Sequence, residues 1–371
     1  MRVVMFYHSL VSDWNHGNAH FLRGVASELL ARGIEVDVYE PRDAWSVAQL
    51  RAEQGEEPVE AFHRAYPALR SHAYDPATLD LEAVLDGASL VLVHEWNSHE
   101  LVSRIGRHRR DHPHYRLLFH DTHHRAVSEP EAMAAYELDH YDGVLAFGEV
   151  IRQMYLRRGW AARAWTWHEA ADVRVFRPVP GVERRHDLVW IGNWGDGERS
   201  AELREFLVDP AEDLDLEGSI HGVRYPQEAL AALRRTRLAY RGWLPNFAAP
   251  AAFAAHRFTV HVPRGPYVRS LPGIPTIRPF EALACGIPLV SAPWDDVEGL
   301  FRPGTDFLVA RDGVEMRRHM RALREDPQMG ADIAAHGLER IHERHTCAHR
   351  VDALLDIHRS LEPAPTARIY A

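Results

Sequence analysis

Apolar runs of strand length recur along the chain, separated by stretches whose apolar residues fall at helical intervals. "RVVMFYH" near the N-terminus reads as a buried strand. The polar segment "SLVSDWNHGN" follows. "AHFLRGVASELLARG" then has helical spacing and closes on Gly33, a residue suited to a helix exit. "IEVDVYEP" gives the next strand, stopped by Pro41, and "SLVLVHEW" and "YRLLFHD" give two more. "GVLAFG" leads into the helical "EVIRQMYLRRG". This βαβ rhythm predicts an open, mostly parallel sheet covered by helices on both faces.

The rhythm restarts at "HDLVWIGNW". The stretches "LDLEGSIHG", "LAYRGWL", "FTVHVPRG", "IPLVSAPW" and "DFLVA" read as further strands, and "APAAFAAHR" as a helix among them. Between the halves, "HEAADVRVFRPVPGVERRHD" has prolines and no clear period, which places a domain junction there. From about residue 314 the chain reads as helical, and its Pro- and Ala-rich end reads as loose. The expected fold class is α/β: two Rossmann-like, doubly wound domains facing across a cleft, with C-terminal helices. Their bounds are 1–170 and 171–350, with a helix and tail over 351–371 able to cross back to the first domain. In such sheets ligands sit beyond the C-terminal strand ends.

A chain of 371 residues accommodates two sizeable cores. A net charge of −10 argues against nucleic-acid binding, which needs a basic field. No stretch reaches the roughly 20 apolar residues of a membrane span. Only two cysteines occur, Cys285 and Cys347, so no disulfide scaffold is expected and the cytoplasm is the expected location. The sequence has no lysine, so all 43 basic residues are arginine, and an anion site must use Arg, His or backbone N–H groups.

The segment "TIRPFEALACGIPLVSAPW", 276–294, stands out chemically. Pro279 suits the first turn of a helix and Gly286 its exit, giving a short helix over roughly 279–285. Glu281 would then sit in the first turn. Two readings stand for it. It complements the helix dipole, or it accepts hydrogen bonds from ligand hydroxyls beside an anion held by Arg278 and the helix N-terminus.

Other segments carry candidate contacts. "SDWNHGNAHFLRG" offers His16, Gly17 and Asn18 for an acceptor or a sugar, with Asn18 equally placed to cap the following helix. Trp96 in "VHEWNSHE" either stacks on a sugar ring or packs internally. That segment is not a zinc-peptidase motif, because His94 and His99 are five apart at the end of a strand. "IGNWGDGERS" brings Gly192 and Asn193 to the expected cleft without being a Walker loop.

Taken together, "FEALACGIPLVSAPW", "GLFRPGTDFLVARDGVEMRRHMRALRED", "RIHERHTCAHRV", "WHEAADVRVFRP" and "LVWIGNWGDGERSAELREFL" resemble group 1 glycosyltransferases of the GT-B fold. They are especially similar to the branch related to spore-maturation glycosyltransferases. The resemblance covers roughly 140–350. It implies a nucleotide-sugar donor in the C-terminal domain and an acceptor on the N-terminal domain. Glu281 would bind the donor ribose, with Thr276 and Ile277 beside it. Arg278, Arg264 or Arg199 would stand where the family has a diphosphate-binding lysine. His120 matches a histidine near the reacting centre. The family's earlier glutamate, eight positions before Glu281, is Gly273 here, so retention or inversion stays open. The residues holding the base would fall in "YRGWLPN", 240–246.

The expectation is a metal-independent glycosyltransferase with no cofactor, whose acceptor is a glycan, a metabolite or a protein. A nucleotide-sugar epimerase or hydrolase, or a silent nucleotide-sugar-binding protein, are the alternatives on the same architecture.

Overall fold

The computed structural model describes residues 1–195 and 197–361. Asp196 and the Pro- and Ala-rich end at 362–371 lie outside the described residues. Strands β1 (Arg2–Phe6), β2 (Glu35–Pro41), β3 (Ser71–Tyr74), β4 (Leu90–His94), β5 (Arg116–Asp121), β6 (Gly143–Ala146) and β7 (Ala164–Thr166) form one sheet. Strands β8 (His186–Ile191), β9 (Glu217–His221), β10 (Arg237–Gly242), β11 (His256–His261), β12 (Leu289–Ser291) and β13 (Leu308–Val309) form a second. The orders are β3-β2-β1-β4-β5-β6-β7 and β10-β9-β8-β11-β12-β13, and every pairing is parallel. Each sheet therefore runs outward in both directions from its first strand. That leaves a crevice between β1 and β4 in one domain and between β8 and β11 in the other.

Continuous apolar runs make sense in strands covered on both sides. Val3 and Met5 pack with Phe21, Leu22 and Val25 of the Ala19–Ala31 helix. Val4, Phe6, Val91 and Val93 pack on the opposite face with Val102 and Ile105 of the His99–Asp111 helix. The period-2 alternation of the strand decides which side chain enters which layer.

Between β7 and β8 the chain passes from one sheet to the other. Three helices end the described chain: Gly313–Glu325, Pro327–Arg344 and Cys347–Ser360. The last one packs on the Ala19–Ala31 helix of the first domain. Trp167 Nε1 donates to the Arg350 carbonyl at 2.8 Å, and Arg350 Nε donates to the His168 carbonyl at 2.8 Å. Thr346 caps this helix and bridges to Ala171. Gly24 marks the closest approach: a Cβ there would lie 2.8 Å from Asp172 Cβ and would collide with Cys347 Sγ.

Gly24→Ala separates two opposed effects. Helix propensity alone predicts a gain of about 1 kcal/mol. Overpacking against Cys347 predicts a loss of about 1–3 kcal/mol. The clash is with a fixed neighbour, so the variant should melt lower than wild type, with faster amide exchange over 347–360. A higher melting temperature would contradict this docking of the terminal helix.

Candidate active site

The C-terminal strand ends of both sheets face one cleft of about 790 Å³. From the second domain, Thr276, Ile277, Arg278 and Glu281 line it, and all belong to one segment. The helix runs Ile277–Ala284 with Thr276 at its N-cap. It starts two residues earlier than the proline suggested, so Pro279 is its third residue and Glu281 lies in the second turn. The dipole-capping reading of Glu281 fails for that reason: no acidic residue occupies the first turn. Thr276 has φ +59° and ψ −174°, a conformation that costs a β-branched residue strain. That geometry turns the chain abruptly into the helix at the edge of the cleft.

Glu281 is 1 % exposed. One carboxylate oxygen takes a hydrogen bond from His20 Nδ1 at 2.9 Å, and the other takes one from Arg278. The backbone N–H of Asp172 donates to His20 Nε2 at 2.7 Å, so Nδ1 carries the ring proton. A carboxylate of the second domain is thus held by a histidine of the first.

Three arginines converge on the same wall. Arg264 grips Glu198 bidentately at 2.9 and 2.6 Å and donates to His123 Nε2 at 3.2 Å across the cleft. Burial draws Glu198 upward, but Arg264 outweighs it and holds the carboxyl below the usual range. Arg199 is half-buried over the Trp190 ring and donates to the carbonyls of Val262 and Asn193. Burial, joined by the charges of Arg264 and Arg278, pulls its guanidinium down to about 10, so it stays charged at neutral pH. Gly192 and Asn193 also line the cleft. Asn193 is tied to the Val223 N–H and donates to Asn15 Oδ1 at 2.6 Å in the first domain. Trp243, Leu244 and Asn246 border the cleft nearby.

Gly273 has φ +89°, and a Cβ there would sit 3.0 Å from both Glu298 Oε1 and Val297 Cγ2. Glu298 bonds the Glu149 N–H and His168 Nε2, both at 2.9 Å, fixing the loop against the first domain. A larger residue at 273 would be strained by the positive φ and would press on Glu298 and Val297.

On the first domain, His16, Gly17, Asn18 and Trp96 all reach the cleft. Gly17 is needed for a protein contact, since a Cβ would come within 2.9 Å of Ile277 Cγ2. Asn18 holds the N-cap position without a side-chain cap bond. Its amide donates instead to Thr122 Oγ1 at 2.7 Å. His120 does not reach the cleft. It is 1 % exposed, bonded to the Tyr7 hydroxyl at 2.6 Å and packed on Trp167. The register of β5 turns its side chain inward, and the chain must leave the strand before Thr122, His123 and His124 face the cavity.

Behind this wall Glu95 and Asp121 are buried together. Burial raises both, Asp121 to about 6, and each raises the need for a shared proton. Burial also depresses the histidines around them, His16 and His124 to about 4 and His120 to about 3, so the wall is made of neutral rings.

Three cleft residues, and His20 buried behind Glu281, escaped the sequence reading. His8 follows the end of β1 and Glu169 follows β7, so both obey the rule that ligands gather at C-terminal strand ends. His20 and Trp45 carried no local signal. Trp96, His8, His16 and Trp45 form a continuous row, with successive ring centroids 6.1, 4.3 and 6.2 Å apart. Of the ten tryptophans, Trp45 and Trp96 are the exposed ones, at 48 % and 40 %. Glu82, His108 and His112, a group with metal-ligand spacing, lie away from the cleft.

Residues 199–356 match the model of a family described as glycosyl transferase-like. Among solved structures the chain is similar to Anabaena HepE in complex with UDP and glucose, at 14 % identity and a TM-score of 0.66, covering 97 % of this chain and 100 % of that one. It is similar to sucrose-phosphate synthase from Thermosynechococcus elongatus, at 15 % identity and a TM-score of 0.64 over 97 % and 99 % of the two chains. It is also similar to an alpha-glucosyltransferase in complex with UDP and a 13-mer DNA, at 10 % identity and a TM-score of 0.70 over 97 % and 99 %. No curated protein matches. The fold is that of GT-B proteins, two facing Rossmann-like domains, and residues 199–356 carry the glycosyl transferase-like match. No described helix is long and apolar enough to cross a membrane.

The depressed histidines predict an acid-side loss of stability. His120 titrates near 6.5 when unfolded and near 3 when folded, so the unfolded chain takes up its proton first as pH falls. The stability difference between wild type and His120→Phe should shrink by up to about 1.4 kcal/mol per pH unit below pH 6.5. Urea unfolding across pH 4–7 measures it. A difference independent of pH would mean that His120 is not held neutral.

Proposed function

We propose that the protein transfers a sugar from a nucleoside-diphosphate sugar to an acceptor hydroxyl, with the donor held by the second domain (171–350). The observation that carries this is the convergence of Arg199, Arg264 and Arg278 on the cleft edge of the Ile277–Ala284 helix, beside buried Glu281. Glu198 and Glu281 leave one of these three positive charges unmatched, and the helix N-terminus adds unpaired N–H groups. A diphosphate supplies the missing negative charge. Glu281 still has free lone pairs after its bonds to His20 and Arg278, and these suit ribose hydroxyls. UDP and UDP-glucose, which the neighbours bind, are the first donors to test.

The acceptor oxygen bonds to the anomeric carbon as the bond from that carbon to the β-phosphate oxygen breaks. The electron pair leaves with the diphosphate. The acceptor's proton finds a stronger base in that phosphate, whose second pKa is about 6, than in His16 at about 4. His120 supports the wall through Tyr7, while His123, tied to Arg264, faces the reacting groups. The work of the site is orientation and charge stabilisation of the leaving group.

The acceptor is proposed to lie along the row Trp96–His8–His16–Trp45, with Gly17 and Asn18 beneath it. The arginine of this wall, Arg125 over the Trp96 ring, is buried and paired with Glu95 and Glu129, and the wall's histidines are neutral. That favours an uncharged, hydroxyl-rich acceptor such as a glycan over nucleic acid. Cys285 and Cys347 are buried free thiols, in keeping with a reducing cytoplasm.

Glu281→Gln should weaken nucleoside-diphosphate binding roughly ten- to a hundredfold, the worth of a hydrogen bond to a charged group. Arg278→Ala should weaken diphosphate binding more than nucleoside binding. Calorimetric titration of UDP, GDP and the matching nucleosides tests both variants. Wild-type affinities in both would remove the donor-site assignment. Transfer should also persist in excess chelator, followed by mass detection of released diphosphate. Activity abolished by chelator and restored by manganese would overturn the cation role given to arginine.

A further inference from the structure

Glu169 is a buried carboxyl in the cleft that the site described so far does not use. It follows β7 on the segment joining the two domains and is 5 % exposed. Its side chain lines the cavity, yet among the described residues no group hydrogen-bonds its carboxyl. Only its backbone carbonyl is engaged, by Arg350. Its neighbours His168 and Asp172 are both bonded elsewhere in the protein. A carboxyl that is mostly buried, bonded to no protein group and open only to the cleft is a candidate for a ligand contact.

We propose that Glu169 hydrogen-bonds the hydroxyls of the sugar being transferred. This rests on the donor-site reading above. Position selects the sugar over the acceptor, because Glu169 stands beside Glu281 and Tyr267, at the anchored end of the donor, and is not part of the Trp96–Trp45 row. Its protonation state suits the task. Burial, with the nearby charge of Glu281, pushes the carboxyl up to about 8, so it is neutral at pH 7. A neutral acid donates through its O–H and accepts through its carbonyl, matching a pair of adjacent sugar hydroxyls. The ionised form would face both Glu281 and the diphosphate. The titratable groups around it are Glu281 with its partners His20 and Arg278, Tyr267, and Arg264, His123 and His124 on the cleft walls. His123 and His124 are held neutral by burial.

The test compares free UDP and GDP with UDP-glucose and GDP-mannose by calorimetry, on the full chain. Glu169→Leu should bind the free diphosphate as wild type does and lose roughly tenfold or more in affinity for the sugar nucleotide. Glu169→Gln, which keeps a donor and an acceptor, should retain that affinity. Raising the pH from 7 to 9 should weaken sugar-nucleotide binding in wild type and leave Glu169→Gln unchanged. If Glu169→Leu does not fold, the comparison of wild type with Glu169→Gln across pH decides alone. An unchanged ratio of sugar-nucleotide to diphosphate affinity in Glu169→Leu, or matching pH profiles in wild type and Glu169→Gln, overturns the proposal while leaving the donor site standing. Failure of wild type to bind any of the four probes removes the donor site and this role together.

Discussion

Glu281 has almost no access to water, and a carboxylate so placed is tolerated only where its charge is matched. Removing one partner of a buried ion pair costs about 3–5 kcal/mol, because the other charge is left stranded. Here the partners come from different parts of the chain. Arg278 lies three residues away on the same helix, while His20 belongs to the first domain and is oriented by the Asp172 backbone. The match is complete only when the two domains are closed on each other. Other contacts follow the same line: Asn193 with Asn15, Trp243 with Asp13, and Arg264 with His123.

That closure gives the cleft two unlike walls. The second domain presents arginines and a helix entrance, arranged so that a negative charge is the missing component. The first presents neutral imidazoles and exposed tryptophans, which suit an uncharged ring. The contrast arises from burial as much as from composition. The same histidines in water would be partly protonated near pH 6, and the wall would then repel the arginines it faces. Packing them around the Glu95–Asp121 pair and the core of the first sheet keeps them neutral. The terminal Cys347–Ser360 helix completes the arrangement by returning to the Ala19–Ala31 helix, which carries His20.

The strand and helix rhythm was legible in the chain because parallel strands buried on both faces need unbroken apolar runs. The segment 276–294 was legible as a distinct helix entrance because a proline marks the first turn and an arginine and a glutamate interrupt its apolar run. The start of that helix was misplaced. Proline is tolerated throughout the first turn, so it marks a turn and not a residue. Local reasoning likewise offered Asn18 a cap role beside a ligand contact, whereas its amide donates to Thr122, over a hundred residues away.

What the sequence by itself determined is the alternation of elements, the two-domain α/β plan, the lack of lysine and hence the reliance on arginine, and the chemically distinct segment 276–294 that lines the cleft. Each depends on neighbours within a turn or a strand, where periodicity carries the information. What only the tertiary structure decided is which side chains meet. His120 falls behind the wall and His123 in front of it, because the chain leaves β5 between them. His20 finds Glu281, and Glu169 is left without a partner, because two sheets remote in sequence close on one cavity. Burial and charge balance there are sums over both domains, and no local pattern in either one contains them.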